Sequence, residues 1–333
     1  MGYGAIETPW REEERWPGVR LRCYGNTTAT RAGALIVPAP IKRAYIWDIA
    51  PRHSAVRALL ASGLSVHLVE WTDDIDGGLD EVIDLLCHSL AYVRTRAEAP
   101  VVLLGHSLGG TLASLLAAMQ PNAVAGLILL EAPLHFGLEV GAFAPYTVGA
   151  PDMPRRVTDR LRPIPGTVLD WFSITADPMS YGLLPALDAV ISTADPDLFT
   201  MHMRVRRWTL DEFAMPTRLF RDIVIDLYRD DRFHRATLVI GRHRPGPADM
   251  TAPILAVVNP LNPDVPPLST LRFLKRTRAS CSVMEYRGEP GVALQHVGIL
   301  VGRRAHAILW PRIVAWIEAR LADGAAHPPR SSE

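Results

Sequence analysis

Val101-Val102-Leu103-Leu104-Gly105-His106-Ser107-Leu108-Gly109-Gly110 is the stretch that decides the fold. Four apolar residues with no polar interruption read as a strand at the centre of a sheet covered on both faces. Gly-x-Ser-x-Gly follows at once, and small residues then continue as a helix over Leu108–Met119. A serine between a strand and a helix needs a strained backbone to lift its hydroxyl above the sheet, and the flanking glycines give it clearance. The motif carries weight because of that strand–turn–helix context. Ser107 is therefore the candidate nucleophile. The N–H of Leu108 opens the helix and can stabilise an oxyanion.

Outward from this turn the chain alternates short apolar runs with helical periodicity, the grammar of a mostly parallel sheet with helices on both faces. Strands are expected at Ala34–Val37, Ser65–Glu70, Val101–Leu104, Leu127–Leu130, Ile254–Val258 and Cys281–Tyr286. A helix should start at Ser54, a good N-cap. Apolar residues at 79, 82, 83, 86, 90 and 93 mark another along one stripe. A helix near Ser269–Arg276 and a last one over Ala305–Leu321 complete the set.

The alternation stops between 135 and 250, where prolines and short aromatic-rich helical stretches dominate. So long an interruption reads as an inserted lid. The expected organisation is a core of 1–134 and 251–322, a lid of 135–250 and a flexible tail of 323–333. Trp171, Phe172, Tyr181, Phe199, Met201, Met203, Trp208, Phe213 and Met215 in the insertion suit a covered apolar cleft.

Of eleven histidines, only His296 lies between the last strand and the last helix, where a base for the serine belongs in the order Ser, acid, His. A serine hydroxyl is inert at neutral pH without such a base. His106 reads as a packing residue of the turn, His67 as a satisfied core histidine, and His135 as a loop or pocket residue.

With these residues placed, the chain resembles the polyhydroxyalkanoate synthase-like branch of the α/β-hydrolase superfamily. The matching segments are Ile36–Asp48, Ser54–Trp71, the serine turn, Ala132-Pro133, Trp208–Tyr228, Ala252–Ala256, Val265–Pro267 and His296–Gly302. The resemblance spans about residues 30 to 320 and implies an α/β-hydrolase fold acting by acyl chemistry. Two departures matter. The synthases carry cysteine where this chain has Ser107, which argues against polymer synthesis. The family's acid stands four residues before the first proline of Val-Pro-Pro, and here that position is Asn262. An asparagine can orient a histidine but cannot stabilise an imidazolium by charge. Three readings stay open: Asp264 serves as the acid after a loop shift, Glu131 serves from the end of the sixth strand, or no buried acid is used. Among Ala39, Ile41 and Lys42, which follow the first strand of this set, Ile41 is taken as the second oxyanion donor, since Pro38 and Pro40 lack an N–H.

The composition, with 48% apolar and 21% charged residues, is that of a globular protein. Thirty-five basic residues balance thirty-five acidic ones, so no net field recruits nucleic acid or an anionic membrane. Neither a signal segment nor a membrane span is read, and three scattered cysteines suit reduced thiols. The expected location is the cytoplasm. No cofactor is expected, and no metal-ligand spacing is visible. A homodimer is compatible with the chain. The leading expectation is a serine esterase or acyltransferase acting on a hydrophobic ester or thioester through an acyl-Ser107 intermediate. The alternatives are a natural-product tailoring enzyme that eliminates an acyl group such as acetate, and a non-catalytic binding protein of the same fold.

Overall fold

The computed structural model describes residues 2–25, 32–97, 101–137, 140 and 153–326. Its centre is an eight-stranded sheet made of β1 (Trp10–Trp16), β2 (Val19–Tyr24), β3 (Gly33–Val37), β4 (Ser65–Trp71), β5 (Val101–His106), β6 (Val124–Leu130), β7 (Ile254–Val258) and β8 (Cys281–Glu285). In space the order is β1-β2-β4-β3-β5-β6-β7-β8. From β4 onward every pairing is parallel, while β1 and β2 form an antiparallel hairpin that pairs antiparallel with β4.

Side chains alternate across a strand, so a sheet covered on both faces must send its apolar residues both ways. Leu35, Leu103, Leu127, Leu129 and Ala256 enter one apolar core together with α2 (Leu79–Arg96) and α3 (Leu108–Met119). Their neighbours Ile36, Val102, Leu104, Ile128, Leu130 and Val257 enter the other, with α1 (Ala55–Ala61) and the C-terminal helix. Each fully buried Leu, Ile or Val stabilises the fold by roughly 1.5–3 kcal/mol relative to exposure. Reading these strands as apolar runs was sound for this reason. Ser54 caps α1 as expected, accepting the Arg57 N–H at 2.9 Å.

Between β6 and β7 the chain forms α4 (Met153–Arg160), α5 (Gly166–Ala176), α6 (Leu184–Ser192), α7 (Pro196–Thr209) and α8 (Thr217–Asp222), with π-helical turns at Met179–Leu183 and Ile223–Arg229. After β7 come α9 (Pro267–Leu274) and finally α10 (Trp310–Ala326), reached through a π-helical turn at Ala305–Leu309. Helix α10 thus runs through 323–326, part of the stretch expected as a tail. The rest of that stretch, 327–333, and residues 138–139 and 141–152 of the insertion lie outside the described residues. The hairpin β1–β2 was not expected. Its strands are charge-rich, and what holds them is pairing: Arg20 and Arg22 reach Glu70 on β4. His67 is buried at 1% exposure and its Nε2 bonds Glu13 on β1 at 3.0 Å; it is a core histidine as expected, but only half satisfied, because its buried Nδ1 has no hydrogen-bond partner.

None of the helices among the described residues is long and apolar enough to cross a membrane.

Candidate active site

Four neighbouring parallel strands, β5 to β8, end on one edge of the sheet, and each delivers a residue there. Ser107 follows β5, Glu131 follows β6, Asn262 and Asp264 lie on the loop after β7, and His296 sits in a 3-10 turn, Gln295–Val297, beyond β8. Carboxyl ends of parallel strands are where such sheets place ligands.

Ser107 has φ 54° and ψ −133°, a left-handed conformation costly for a residue with a Cβ. The surrounding structure enforces it. Ser107 N–H donates to the Leu130 carbonyl at 3.0 Å, and the Ser107 carbonyl accepts from Gly110 at 2.8 Å. A Cβ on Gly105 would lie 2.5 Å from the Gly109 oxygen. One on Gly109 would overlap the Val37 oxygen and lie 2.8 Å from the Pro38 carbonyl carbon. The glycines therefore let the turn pack against both β3 and its own helix. The loop after β3 is pinned beside it, because Trp71 Nε1 donates to the Pro38 oxygen at 2.8 Å.

His296 is anchored from two sides. His106 Nε2 donates to the His296 carbonyl at 2.8 Å, and the two rings lie 4.4 Å apart. Burial, followed by the neighbouring His296, pushes His106 down to about 3, so it stays neutral. His106 is thus more than packing: it clamps the histidine loop and lines the same cavity. On the other side Asn262 Nδ2 lies 3.0 Å from His296 Nδ1, and the same nitrogen donates to Glu131 Oε2. Glu131 Oε2 itself is 3.5 Å from His296 Nδ1, beyond a direct hydrogen bond. Burial also lowers the pKa of His296 below the ordinary imidazole value, while Asp264 opposes this through space.

The residues of the three acid readings are placed as follows. Asp264 makes no hydrogen bond to His296 among the described residues. It is buried, its Oδ1 has no hydrogen-bond partner, and its backbone N–H donates to Asn262 Oδ1 at 2.9 Å. Burial raises its pKa, with His296 through space and then the Tyr181 hydroxyl acting against the rise. Glu131 stands behind the amide, almost fully buried, and desolvation raises its pKa to about 7. The side chain that touches His296 is Asn262, the residue at the family's acid position. No hydrogen bond to the Ser107 hydroxyl is formed among the described residues, as is common before substrate tightens such contacts.

Ser107, His296, Leu108, Ala39 and Ile41 line one cavity of about 400 Å³. Its remaining wall is largely apolar, with Trp47 and Ile46 from the core and Phe172, Tyr181, Trp208 and Met215 from the helices between β6 and β7. The other residues singled out there do not line it: Met201 and Phe213 are packed inside, and Trp171 is 65% exposed. Lys42 ties the roof to the loop after β3, bonding Asp170 at 2.8 Å and Glu212 at 3.0 Å. Trp208 adds a bond to the Arg43 oxygen at 2.7 Å.

Sequence spacing showed no metal pattern, yet the fold gathers two sets of ligand-type atoms: Glu13 with Cys23 and His67, and His135 with Asp231 and His234. Both are bonded internally. Asp231 accepts from His135 at 2.7 Å and His234 at 3.0 Å, so His135 serves as a brace between elements and lies outside the cavity wall.

Comparison with known proteins agrees with this fold. The model of the alpha/beta hydrolase family matches residues 35–299. The chain is similar to the poly(3-hydroxyalkanoate) polymerase subunit PhaC of Allochromatium vinosum, at 27% identity over 90% of this chain and 84% of that protein. It is also similar to its namesake from Haloferax mediterranei, at 26% identity over 94% of this chain, and spans 64% of that protein's length. Among solved structures, the monoacylglycerol lipase of Paleococcus ferrophilus superposes with a TM-score of 0.58 at 16% identity, covering 91% of this chain and 99% of that one. These relatives are enzymes of hydrolysis or acyl transfer, and this chain is an enzyme of that broad kind. It belongs to the α/β-hydrolase family, in its polyhydroxyalkanoate synthase-like branch.

Proposed function

We propose that the protein is a serine esterase or acyltransferase that acts on a hydrophobic ester or thioester. The observation that carries this reading is Ser107 in its strained turn, opening into the same apolar cavity as His296. Ser107 attacks the acyl carbon, and its proton passes to His296. The tetrahedral oxyanion is held by the Leu108 N–H at the start of α3. A second donor comes from the loop after β3. Ala39 suits this role better than Ile41, because its nitrogen lies against Gly109, 2.9 Å from where a Cβ there would stand. Collapse expels the alcohol or thiol with the proton from His296, and water or an acceptor alcohol then releases the acyl group.

The helices over 153–229 act as the lid, and their aromatic and methionine side chains set the preference for an apolar acyl group. Polymer formation is not expected, since serine replaces the thiol suited to repeated thioester exchange.

The test is hydrolysis of p-nitrophenyl esters of short and medium acids by the wild type, Ser107→Ala and His296→Ala. Both variants should lose activity to a similar, near-complete degree, because nucleophile and base act as one unit. Turnover retained by Ser107→Ala would sink the assignment.

A further inference from the structure

Asn262 has an orientation that can be assigned from its neighbours. Its Oδ1 accepts the N–H groups of Asp264 at 2.9 Å and Val265 at 3.4 Å. An NH₂ placed there would face two donors, so the amide cannot be turned round. Both Nδ2 hydrogens therefore point the other way, one to Glu131 Oε2 and one to His296 Nδ1. Two donors cannot share a 3.0 Å contact. His296 Nδ1 must accept, and it carries no proton.

A neutral imidazole has one proton, and burial keeps this ring neutral. We propose that Asn262 is a positioning residue that holds resting His296 with its proton on Nε2, the nitrogen left for the cavity, and so restrains acylation of Ser107. This inference rests on the Ser107–His296 reading above. An Nε2 that already bears hydrogen has no lone pair for the serine proton. To act as a base, the ring must exchange protons with water, giving up the one on Nε2 and receiving one from water on Nδ1. The new Nδ1–H then needs an acceptor. Glu131 Oε2, at 3.5 Å, supplies it once the amide moves aside. Wrong-tautomer histidine is the effect assigned to the Asp-to-Asn change in the chymotrypsin-type triad, where it costs about 10⁴ in turnover.

Two measurements test the proposal. In the full chain carrying ¹⁵N-labelled histidine, the His296 signals are assigned by their loss in His296→Gln. At neutral pH the wild type should show a protonated Nε2 and an unprotonated Nδ1; the reverse pattern, or a doubly protonated ring, overturns the proposal. In the second measurement Asn262→Asp gives Nδ1 an acceptor. Labelling of Ser107 by a fluorophosphonate should quicken at least about tenfold, and the acid limb of its pH profile should move up, because a carboxylate at Nδ1 favours the imidazolium. A folded Asn262→Asp with an unchanged or slower rate also overturns it. Complete absence of labelling in both proteins counts against Ser107 as nucleophile, and the ¹⁵N pattern then still decides the tautomer.

Discussion

Replacing Glu131 by glutamine should remove a specific part of the protein's pH dependence. The carboxyl group is 1% exposed and desolvation raises its pKa from 4.5 to about 7. The unfolded chain gives up this proton first. Between pH 4.5 and 7 it binds fewer protons than the folded protein, so stability falls as pH rises. The contribution is fully present below 4.5 and is lost as pH climbs through about 7. A rise of roughly 2.5 units at about 1.36 kcal/mol each amounts to about 3 kcal/mol. Glutamine keeps an oxygen to accept the Asn262 amide and does not titrate. Urea unfolding of the wild type and Glu131→Gln at pH 5, 6, 7 and 8 isolates the effect as a difference, because other groups cancel. The variant should gain on the wild type by about 2–3 kcal/mol across that range. Parallel curves would refute the reasoning, since they would mean that Glu131 ionises at its ordinary pH inside the fold.

Three further outcomes are expected. Gly109→Ala should lose at least about tenfold in esterase turnover, since the new Cβ meets backbone atoms of Val37, Pro38 and Ala39 and must push the oxyanion loop away; ester kinetics on the folded variant check this. The acid limb of kcat/KM should have its midpoint below 6.5, because burial lowers the pKa of His296 and the neutral ring is the form that works; a midpoint above 6.5 counts against that. Ser54→Ala should cost about 1–2 kcal/mol in denaturant unfolding, since Ser54 caps α1 and also donates to buried Asp48 at 2.6 Å.

Much of this molecule was legible from residue order. Each expected strand from Ala34 to Tyr286 is present; the central ones, Val101–His106 and Ile254–Val258 among them, are buried on both faces, so they stand out as unbroken apolar runs. The positions of Ser107 and His296 beside one cavity were legible because both sit in turns beyond strand ends, and local sequence marks such turns. The acid was not. Glu131 comes from the loop after β6 and Asn262 and Asp264 from the loop after β7, and between Glu131 and Asn262 the contact with His296 Nδ1 is decided by 3.5 Å against 3.0 Å. Asn262 stands out in the sequence as a departure from the family pattern, but its contact with both Glu131 and His296 exists only in the fold. The hairpin β1–β2 escaped because the charged run Arg11 to Arg15 looks like a solvated segment until His67 and Glu70 on β4 supply partners for Glu13 on β1 and for Arg20 and Arg22 on β2. His135, Asp231 and His234 could not be associated either, since nearly a hundred residues separate the first from the others.

The account stands on a covalent acyl-Ser107. Rapid-quench mass spectrometry with a p-nitrophenyl ester of a medium-chain acid tests it most directly. A burst of nitrophenolate should accompany a mass increase equal to the acyl group, located by fragmentation on Ser107 and absent in Ser107→Ala. Turnover of the ester with no adduct on Ser107, or with the adduct on another residue, would contradict it.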